Sequence, residues 1–464
     1  MEKILVNIVY FQHDLRIHDH PGLTAASKLN QPIIGLYANW EEDTISQFGF
    51  SKQSSLRKNV KHEALAVLKK SLAALNIPLF VFSSLDAPSL KILVDTIHVH
   101  TWLTSLEPGS EEKNKENKLI QLFQPTVTKR FASKPLLHPN DYPFLVNALP
   151  KRFTDARLLI EKSIQVRPLL PLISVQPVSP LSHLKDDFST LHGTSSWFAH
   201  GEEHALQHLH HYFFESKKIL TYKFTRNNML AFDDSSKLSP YLALGCLSPR
   251  MIYWKLKEVE SSIEKNQSTY WLWFELLWRD YFFYLHIQHG NRFFFLSGIQ
   301  EKQSLWKDNE RYKQAILQAK TGYPMVDANL LELYQTGWMS NRGRQNVASF
   351  ITHSLHLDWR WGAALYEHYL LDYDVSSNYG NWQYLAGVGS DPREQRVFNV
   401  SLQLKKYDAK GDYVKHWLPA LQNVQVPYIY QPWTMNELEQ TLSQCVIGKD
   451  YPSPILDDAR IQMR

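Results

Sequence analysis

Three stretches of the chain carry residue types at spacings that chemistry could use. In SSKLSPYLALGCLSPRMIYW, Ser239 precedes Pro240 and Ser248 precedes Pro249. A serine ahead of a proline at the first helical position can cap a helix with its hydroxyl. Ser235, Ser236 and Lys237 stand just before the first of these starts. Hydroxyls, free backbone donors and the positive end of a helix together make a phosphate site. An ordinary capped helix uses the same residues and is the plainer reading of this stretch alone. In YWLWFELLWRDYFFYL, Glu275 and Trp278 are three apart and Glu275 and Arg279 four apart, so a helix can turn all three to one side. A carboxylate beside tryptophans suits a planar polar ligand such as a base, but a core helix with one internal ion pair gives the same pattern. His204, His208 and His211 have helical metal-ligand spacing. No nearby cysteine or carboxylate pattern supports them, so they read as surface or core histidines and no metal site is expected.

These residues need elements to position them. The first 130 residues alternate strands and helices. ILVNIVYF, PIIGLYA, PLFVFSS and VHTWLTS are apolar runs of strand length. Between the second and third runs, Leu56, Val60, Ala64, Leu68, Leu72 and Leu75 recur on one helical face. Such alternation predicts a parallel sheet covered by helices. Ligands sit at the carboxyl ends of strands in such sheets, so the loop QHDLRIHDHPGL after the first strand is a candidate binding edge. The chain has no GxGxxG after that strand and no Walker phosphate loop, which disfavours a dinucleotide dehydrogenase or a P-loop NTPase. Residues 125 to 180 hold nine of the 23 prolines; proline lacks a backbone donor and fixes φ, so this density marks an extended linker. From about Ser195 onward the pattern is helical. The expected division is an α/β domain over 1–130, a linker over 131–195 and an all-helical domain over 196–464.

The composition sets outer bounds. A chain of 464 residues can bury large cores. It has no run of eighteen apolar residues, which argues against a membrane span. MEKILVNIVYFQHD lacks a small-residue cleavage site and passes into charged sequence, so a buried first strand is a better reading than a secretory signal. Only Cys246 and Cys445 are present, too few for a disulfide framework and suited to a reducing compartment. A net charge of +4 is too small to imply nucleic acid by itself. Twelve of the fourteen tryptophans lie from Trp197 onward, so that half either has an aromatic-rich core or binds something flat.

The run TGYPMVDANLLELYQTGWMSNRGRQNVASF, then LDWRWG, then LLDYDVSSNYGNWQYLAGVGSDPREQRVFN, together with FELLWRDYF and SKLSPYLALG, closely resembles the flavin domain of photolyases and cryptochromes. VYFQHDLRIHDHPGL is similar to the same family's amino-terminal signature, although His13 and His20 stand where the family commonly has Asn. The resemblance covers nearly the whole chain, in order. NRGRQN, NYGNWQY and GVGSDPRE look most like the DASH cryptochromes, with Gln345 and Tyr384 as the telling positions.

The resemblance implies an α/β antenna domain and a helical domain holding FAD. By it, Tyr222, Ser235, Ser236, Leu238 and Ser239 match positions around the flavin phosphates and ribityl chain. Arg344 and Asp372 match a salt-bridged pair beside the flavin ring, Asp374 a carboxylate near the cofactor, and Asn341 a polar contact to it. Asn378 matches the residue facing flavin N5, where an amide can turn its oxygen or its NH2 to suit the redox state. Trp382, Trp359 and Trp306 match a triad that relays electrons to the flavin. Glu275, Trp278, Asn341, Arg342, Tyr384 and Gln403 match the substrate side, with Arg226 and Arg396 candidates for DNA phosphates. The implied partner is DNA, especially single-stranded DNA carrying pyrimidine dimers, because extrusion from a duplex costs a few kcal/mol and far less from a single strand. The implied antenna is methenyltetrahydrofolate, with Glu107 the matching carboxylate. The implied activity is blue-light-driven dimer repair by reduced FAD, with Glu275 a hydrogen-bond donor to the dimer radical. The rival reading is a photoreceptor that signals without repair. The chain is expected to act as a monomer in the cytoplasm.

Overall fold

The computed structural model describes residues 3–40, 44–188, 198–390 and 397–456. The chain forms two compact units. Unit 1 comprises Met1–Leu220, Leu238–Asn291 and Asp372–Ser377; unit 2 comprises Thr221–Lys237, Arg292–Leu371 and Asn378–Arg464.

Unit 1 contains a five-stranded parallel sheet of strands β1 Ile4–Phe11, β2 Ile33–Ala38, β3 Leu79–Phe82, β4 Ile97–Ser105 and β5 Val127–Phe131, in the order β3-β2-β1-β4-β5. Helices α1 Pro21–Ala26, α2 Ser55–Ala73, α3 Pro88–Thr96 and α4 Ser110–Phe123 connect them. Parallel strands covered on both faces need continuous apolar runs rather than alternation. The last six residues of β1 and all of β2 and β3 are accordingly buried. Ile8 pairs with Ile34 on one side and with Trp102 on the other. These residues join Val6, Tyr10, Leu36, Phe80 and Phe82 in one core, where each fully buried large side chain contributes about 1.5–3 kcal/mol. Val60, Ala64, Leu68 and Leu72 of α2 are buried and Leu75 lies just beyond it, also buried, as the helical spacing predicts. The fifth strand, VTKRF, is nearly all exposed; its Lys129 and Arg130 are the charges that keep an open sheet edge from pairing with another chain.

The loop after β1 is built as a clamp rather than an open binding edge. Leu15 N donates to Leu244 O at 3.1 Å. The buried Arg16 guanidinium donates to Gly245 O at 3.0 Å, Ser133 O at 3.1 Å and Asp19 O at 3.3 Å. Glu202 accepts from Ile17 N at 2.8 Å and His18 N at 2.9 Å. Asp19 takes Leu170 N at 2.9 Å, Arg250 at 2.7 and 3.0 Å, and the Ser248 hydroxyl. Gly245, at φ +68°, is required twice over. Its backbone is left-handed, and a Cβ there would stand 2.0 Å from His13 O. His20 accepts from Leu23 N at 3.0 Å through Nδ1, capping α1, and its Nε2 faces Asp14 at 3.2 Å.

The proline-rich stretch differs from a uniformly extended linker. It carries a 3-10 turn at Pro139–Asp141 and a helix, α5 Phe153–Ser163, which buries Phe153, Ala156 and Ile160. Unit 1 also holds α6 Glu202–His210, α8 Ser239–Leu244, α9 Pro249–Ser262 and α10 Gln267–His289. Unit 2 holds α7 Tyr222–Thr225, α11 Glu310–Leu317, α12 Pro324–Thr336, α13 Asn341–Ser349, α14 Trp359–Tyr369, α16 Val400–Tyr407, α17 Asp412–Trp417 and α18 Glu437–Leu442, while α15 Val375–Ala386 starts in unit 1 and continues in unit 2. The architecture is therefore an α/β sheet domain followed by helices. Among the described residues no helix is long and apolar enough to cross a membrane, and no cluster of three or more His, Cys, Asp or Glu could hold a metal. His208 packs on Phe198 and Tyr241, and His211 faces Glu215 at 2.9 Å.

Candidate functional site

In unit 1 the two serine–proline starts behave differently. Ser248 accepts from Arg250 N at 3.2 Å and caps α9 as its spacing predicts. Ser239 does not cap. It lies inside the first turn of α8, whose N-cap is Leu238, and its hydroxyl donates to Asp372 Oδ2 at 2.7 Å. A carboxylate is the stronger acceptor, so the hydroxyl serves the site rather than the helix end. Leu238 is buried.

Helix α10 places Glu275, Trp278 and Arg279. Its start is fixed by Asn266, which accepts from Ser268 N at 2.8 Å and Thr269 N at 3.2 Å in a capping box. Asp280 anchors the helix by accepting Leu136 N and Leu137 N, both at 2.8 Å, and burial pushes its carboxyl up to about 7 against those bonds. Glu275 is half-buried, and Trp278 stacks one face on Phe153 at 3.8 Å. Arg279 donates to the backbone carbonyls of Lys134 and Leu242.

Four charged or titratable side chains of unit 1 meet beside this helix. Glu107 Oε1 stands 3.3 Å from His13 Nδ1 and accepts from Ser105 Oγ at 3.2 Å; its Oε2 accepts from Lys134 Nζ at 3.1 Å. The same Lys134 Nζ stands 3.1 Å from Asp374 Oδ2, and Asp374 Oδ1 accepts Ser377 N at 2.8 Å. Burial alone would raise both carboxyls, but Lys134 overrides it, helped at Glu107 by His13 and at Asp374 by Arg279, and holds each below the usual carboxylate range. Burial opposes the charge on Lys134 too, and its two carboxylates raise it above an ordinary lysine. Glu107, the carboxylate that the resemblance matched to the antenna, is thus held inside this network. Its side chain is 1% exposed and each of its oxygens has an internal partner.

Unit 2 gathers the other residues. Trp359 is fully buried, donates Nε1 to Leu296 O at 3.0 Å, and meets Tyr379 edge-on at 6.0 Å. Trp382 is buried edge-on to Tyr366 at 5.0 Å. Its ring lies where position 362 has room only for glycine, since a Cβ there would come within 2.2 Å of Trp382 Cη2. Trp306 is half-buried beside Leu305, which is 95% exposed. Two interior indoles and one near the surface are thus present in one unit. The amide of buried Asn378 donates Nδ2 to Ala363 O at 3.0 Å, an arrangement that leaves Oδ1 as its acceptor.

Around Trp338, Lys237 Nζ sits 4.5 Å and the Arg344 guanidinium 5.2 Å from the ring centre. Lys237 also reaches Ser235 Oγ at 3.1 Å, and burial pulls its amine down to about 8. Arg344 donates Nε to Met339 O at 2.9 Å. Ser236 and Tyr222 are buried. Ser340 caps α13 by accepting Gly343 N at 3.0 Å, which sets the exposed Asn341 at the helix start. Arg342 lies over Tyr407 at 4.6 Å. Tyr384 and Arg226 are half-buried, and Gln403 holds a buried Oε1 with no hydrogen-bond partner. Arg396 lies outside the described residues.

FAD asks for donors at its phosphates and for acceptors at the N–H groups of its ring. The hydroxyls of Ser235 and Ser236 beside the half-buried Lys237 suit the former. Within unit 2, Asn378 Oδ1 suits the latter, and within unit 1 Asp374 Oδ2 is an acceptor of the same kind, 7% exposed on its side chain. The residues present fit the group. Lys134 and Gly362 were not singled out from the sequence. A lysine among the apolar residues of FASKPLL was the one visible signal for the first.

Residues 271–464 match the family model described as the FAD binding domain of DNA photolyase, and residues 7–171 match that described as DNA photolyase. The chain is 39% identical to a cryptochrome DASH from Gloeobacter violaceus, covering 97% of this chain and 93% of that one. It is also 39% identical to a cryptochrome DASH from Danio rerio, covering 97% and 90%. Its structure matches the crystal structure of a cryptochrome from Synechocystis sp. with a TM-score of 0.90 at 37% identity, covering 99% and 98%. It matches a bacterial class III photolyase from Agrobacterium tumefaciens with a TM-score of 0.83 at 26% identity, covering 99% and 96%.

Proposed function

The chain belongs to the photolyase/cryptochrome family, where it is most like the DASH cryptochromes, and from that premise we propose that it is a light-driven, FAD-dependent lyase for cyclobutane pyrimidine dimers in single-stranded DNA. The observation that carries this reading is the orientation of the Asn378 amide. With its NH2 held by Ala363 O, it presents an oxygen to its other side. An acceptor facing flavin N5 favours the protonated, reduced cofactor, which is the electron donor that repair requires. Reduced FAD, when bound, supplies an electron under blue light and takes it back after the cyclobutane ring has split.

The protein's own residues have the remaining work of binding, orientation and exclusion of water. Ser235, Ser236, Ser239, Tyr222 and Leu238 are assigned to the phosphates and ribityl chain. Arg344, Asp372, Asp374, Asn341 and Asn378 are assigned to the ring and its surroundings. Glu275 holds a proton toward the dimer, and Trp278, Tyr384, Arg342, Asn341 and Gln403 shape the pocket for an extruded base pair. Arg226 and Arg396 position the strand through its phosphates. Trp306, Trp359 and Trp382 return electrons to an oxidised cofactor. Methenyltetrahydrofolate remains the proposed antenna, with Glu107 the carboxylate assigned to it. The protein is read as a monomer of the cytoplasm.

Illumination of the FAD-loaded protein with dimer-containing single- and double-stranded oligonucleotides tests this. Light-dependent loss of dimers is expected in the single strand first. Loss in neither substrate would favour a photoreceptor that signals without repair. Glu275→Ala should lower the repair yield by roughly tenfold or more while flavin content stays intact.

A further inference from the structure

We propose that Lys134 is a positioning residue for the cofactor carboxylate, holding Asp374 ionised and in place from the end of the parallel sheet. The proposal rests on the reading above that Asp374 faces the flavin, and it adds a residue which that reading does not contain.

Three features of unit 1 carry it. First, the ammonium is 1% exposed and lies 3.1 Å from each of two carboxylates, Glu107 and Asp374, which are 1% and 7% exposed. A buried cation between two buried anions is held only by close geometry, and losing it leaves uncompensated charge. Second, the two contacts are unequal. The one to Glu107 is a hydrogen bond, whereas Asp374 Oδ2 has the nearby charge but no hydrogen-bond donor. Asp374 therefore keeps a lone pair open while its charge is held, which is what a ligand N–H needs from a carboxylate. Third, the chain of contacts continues from Glu107 to His13 in the loop after β1, and Arg279 of α10 fixes the Lys134 carbonyl. The lysine is thereby tied to two rigid elements, and its position is not left to a flexible surface side chain.

A merely structural lysine would serve to neutralise Glu107, and a charge-balanced double variant separates the two roles. In Lys134→Met, FAD affinity measured by fluorescence titration should fall roughly tenfold or more. The midpoint potential of the flavin that still binds should become more negative, because a cation near the ring has gone. In Lys134→Met/Glu107→Gln one buried anion is removed with the cation, so the part of the folding loss caused by Glu107 is relieved, yet affinity should stay as low as in the single variant and the potential below that of the wild type. Lys134→Arg, which keeps the positive charge, should recover affinity to within about threefold and return the potential toward the wild-type value. Recovery of wild-type affinity and potential in the double variant would overturn the proposal, as would an unchanged single variant. A wild-type protein that takes up no FAD would instead overturn the functional reading itself, and the wild-type arm alone reveals that.

Discussion

The loop that follows the first strand and the tryptophan-rich interior of unit 2 handle buried polarity in opposite ways. In the loop, charged groups meet close partners: Asp14 faces His20, Asp19 is gripped by Arg250, and Arg16 donates to three carbonyls. In unit 2, neutral groups are left open. Trp382 Nε1, Trp306 Nε1 and Gln403 Oε1 are buried without hydrogen-bond partners. Folded proteins satisfy nearly all buried polar atoms, so open ones concentrate where something else is to bind or react. The contrast is one of degree, since His13 Nδ1, Arg16 Nε and His20 Nε2 of the loop are also buried without hydrogen-bond partners.

Three substitutions or conditions would break or sharpen that contrast. The largest effect is expected at Asp19. Asp19→Ala removes the acceptor for Arg250, Ser248 and Leu170 N together, and should cost about 3–5 kcal/mol in urea unfolding of the cofactor-free protein. A loss below about 1 kcal/mol would mean that the clamp is ornamental. Next comes acidification. Burial would raise Asp14, but His20 and then Arg16 hold it at about 2, below its ordinary 3.8. A carboxyl depressed on folding adds stability that is present above the unfolded value and vanishes as pH falls from about 4 through about 2. This part amounts to about 2 kcal/mol. Asp14→Asn should flatten that segment of the stability–pH curve. The smallest effect on stability is expected at Gln403. Replacing a lone buried acceptor by an apolar group is close to neutral, so Gln403→Leu should change unfolding by less than about 1 kcal/mol. Binding of dimer-containing single-stranded DNA, read by fluorescence anisotropy, should weaken in the same variant. A variant that is markedly less stable but binds normally would reverse the assignment.

How much of this was legible in the sequence depends on where each residue's partners lie. The strands ILVNIVYF and PIIGLYA could be read because both faces of a central parallel strand are apolar, and α2 because one helical face is. The edge strand VTKRF could not, since its side chains answer to solvent instead of a core. Helix α5 was hidden by prolines on either side of FTDARLLIEKS. Ser239 had the pattern of a cap, but its hydroxyl was claimed by a carboxylate 133 positions away. Glu107 had the right type for a ligand, yet Lys134 and His13 occupy it, and no spacing rule links residues 13, 107, 134 and 374. The family motifs named the site residues by position; only tertiary geometry distinguishes those that are committed from those that are available.

The grip on Arg16 bears on modularity. The carbonyls that receive its guanidinium belong to residues 19, 133 and 245, and the glycine that permits the closest approach of the backbone stands at 245. A fragment cut after the fifth strand would lose Leu181 from the sheet's apolar core and strand a buried arginine beside it with one of its three acceptors. The sheet half of this chain is therefore not a cassette to be excised, swapped or grafted at its last strand; any transplant has to carry the glycine turn with it.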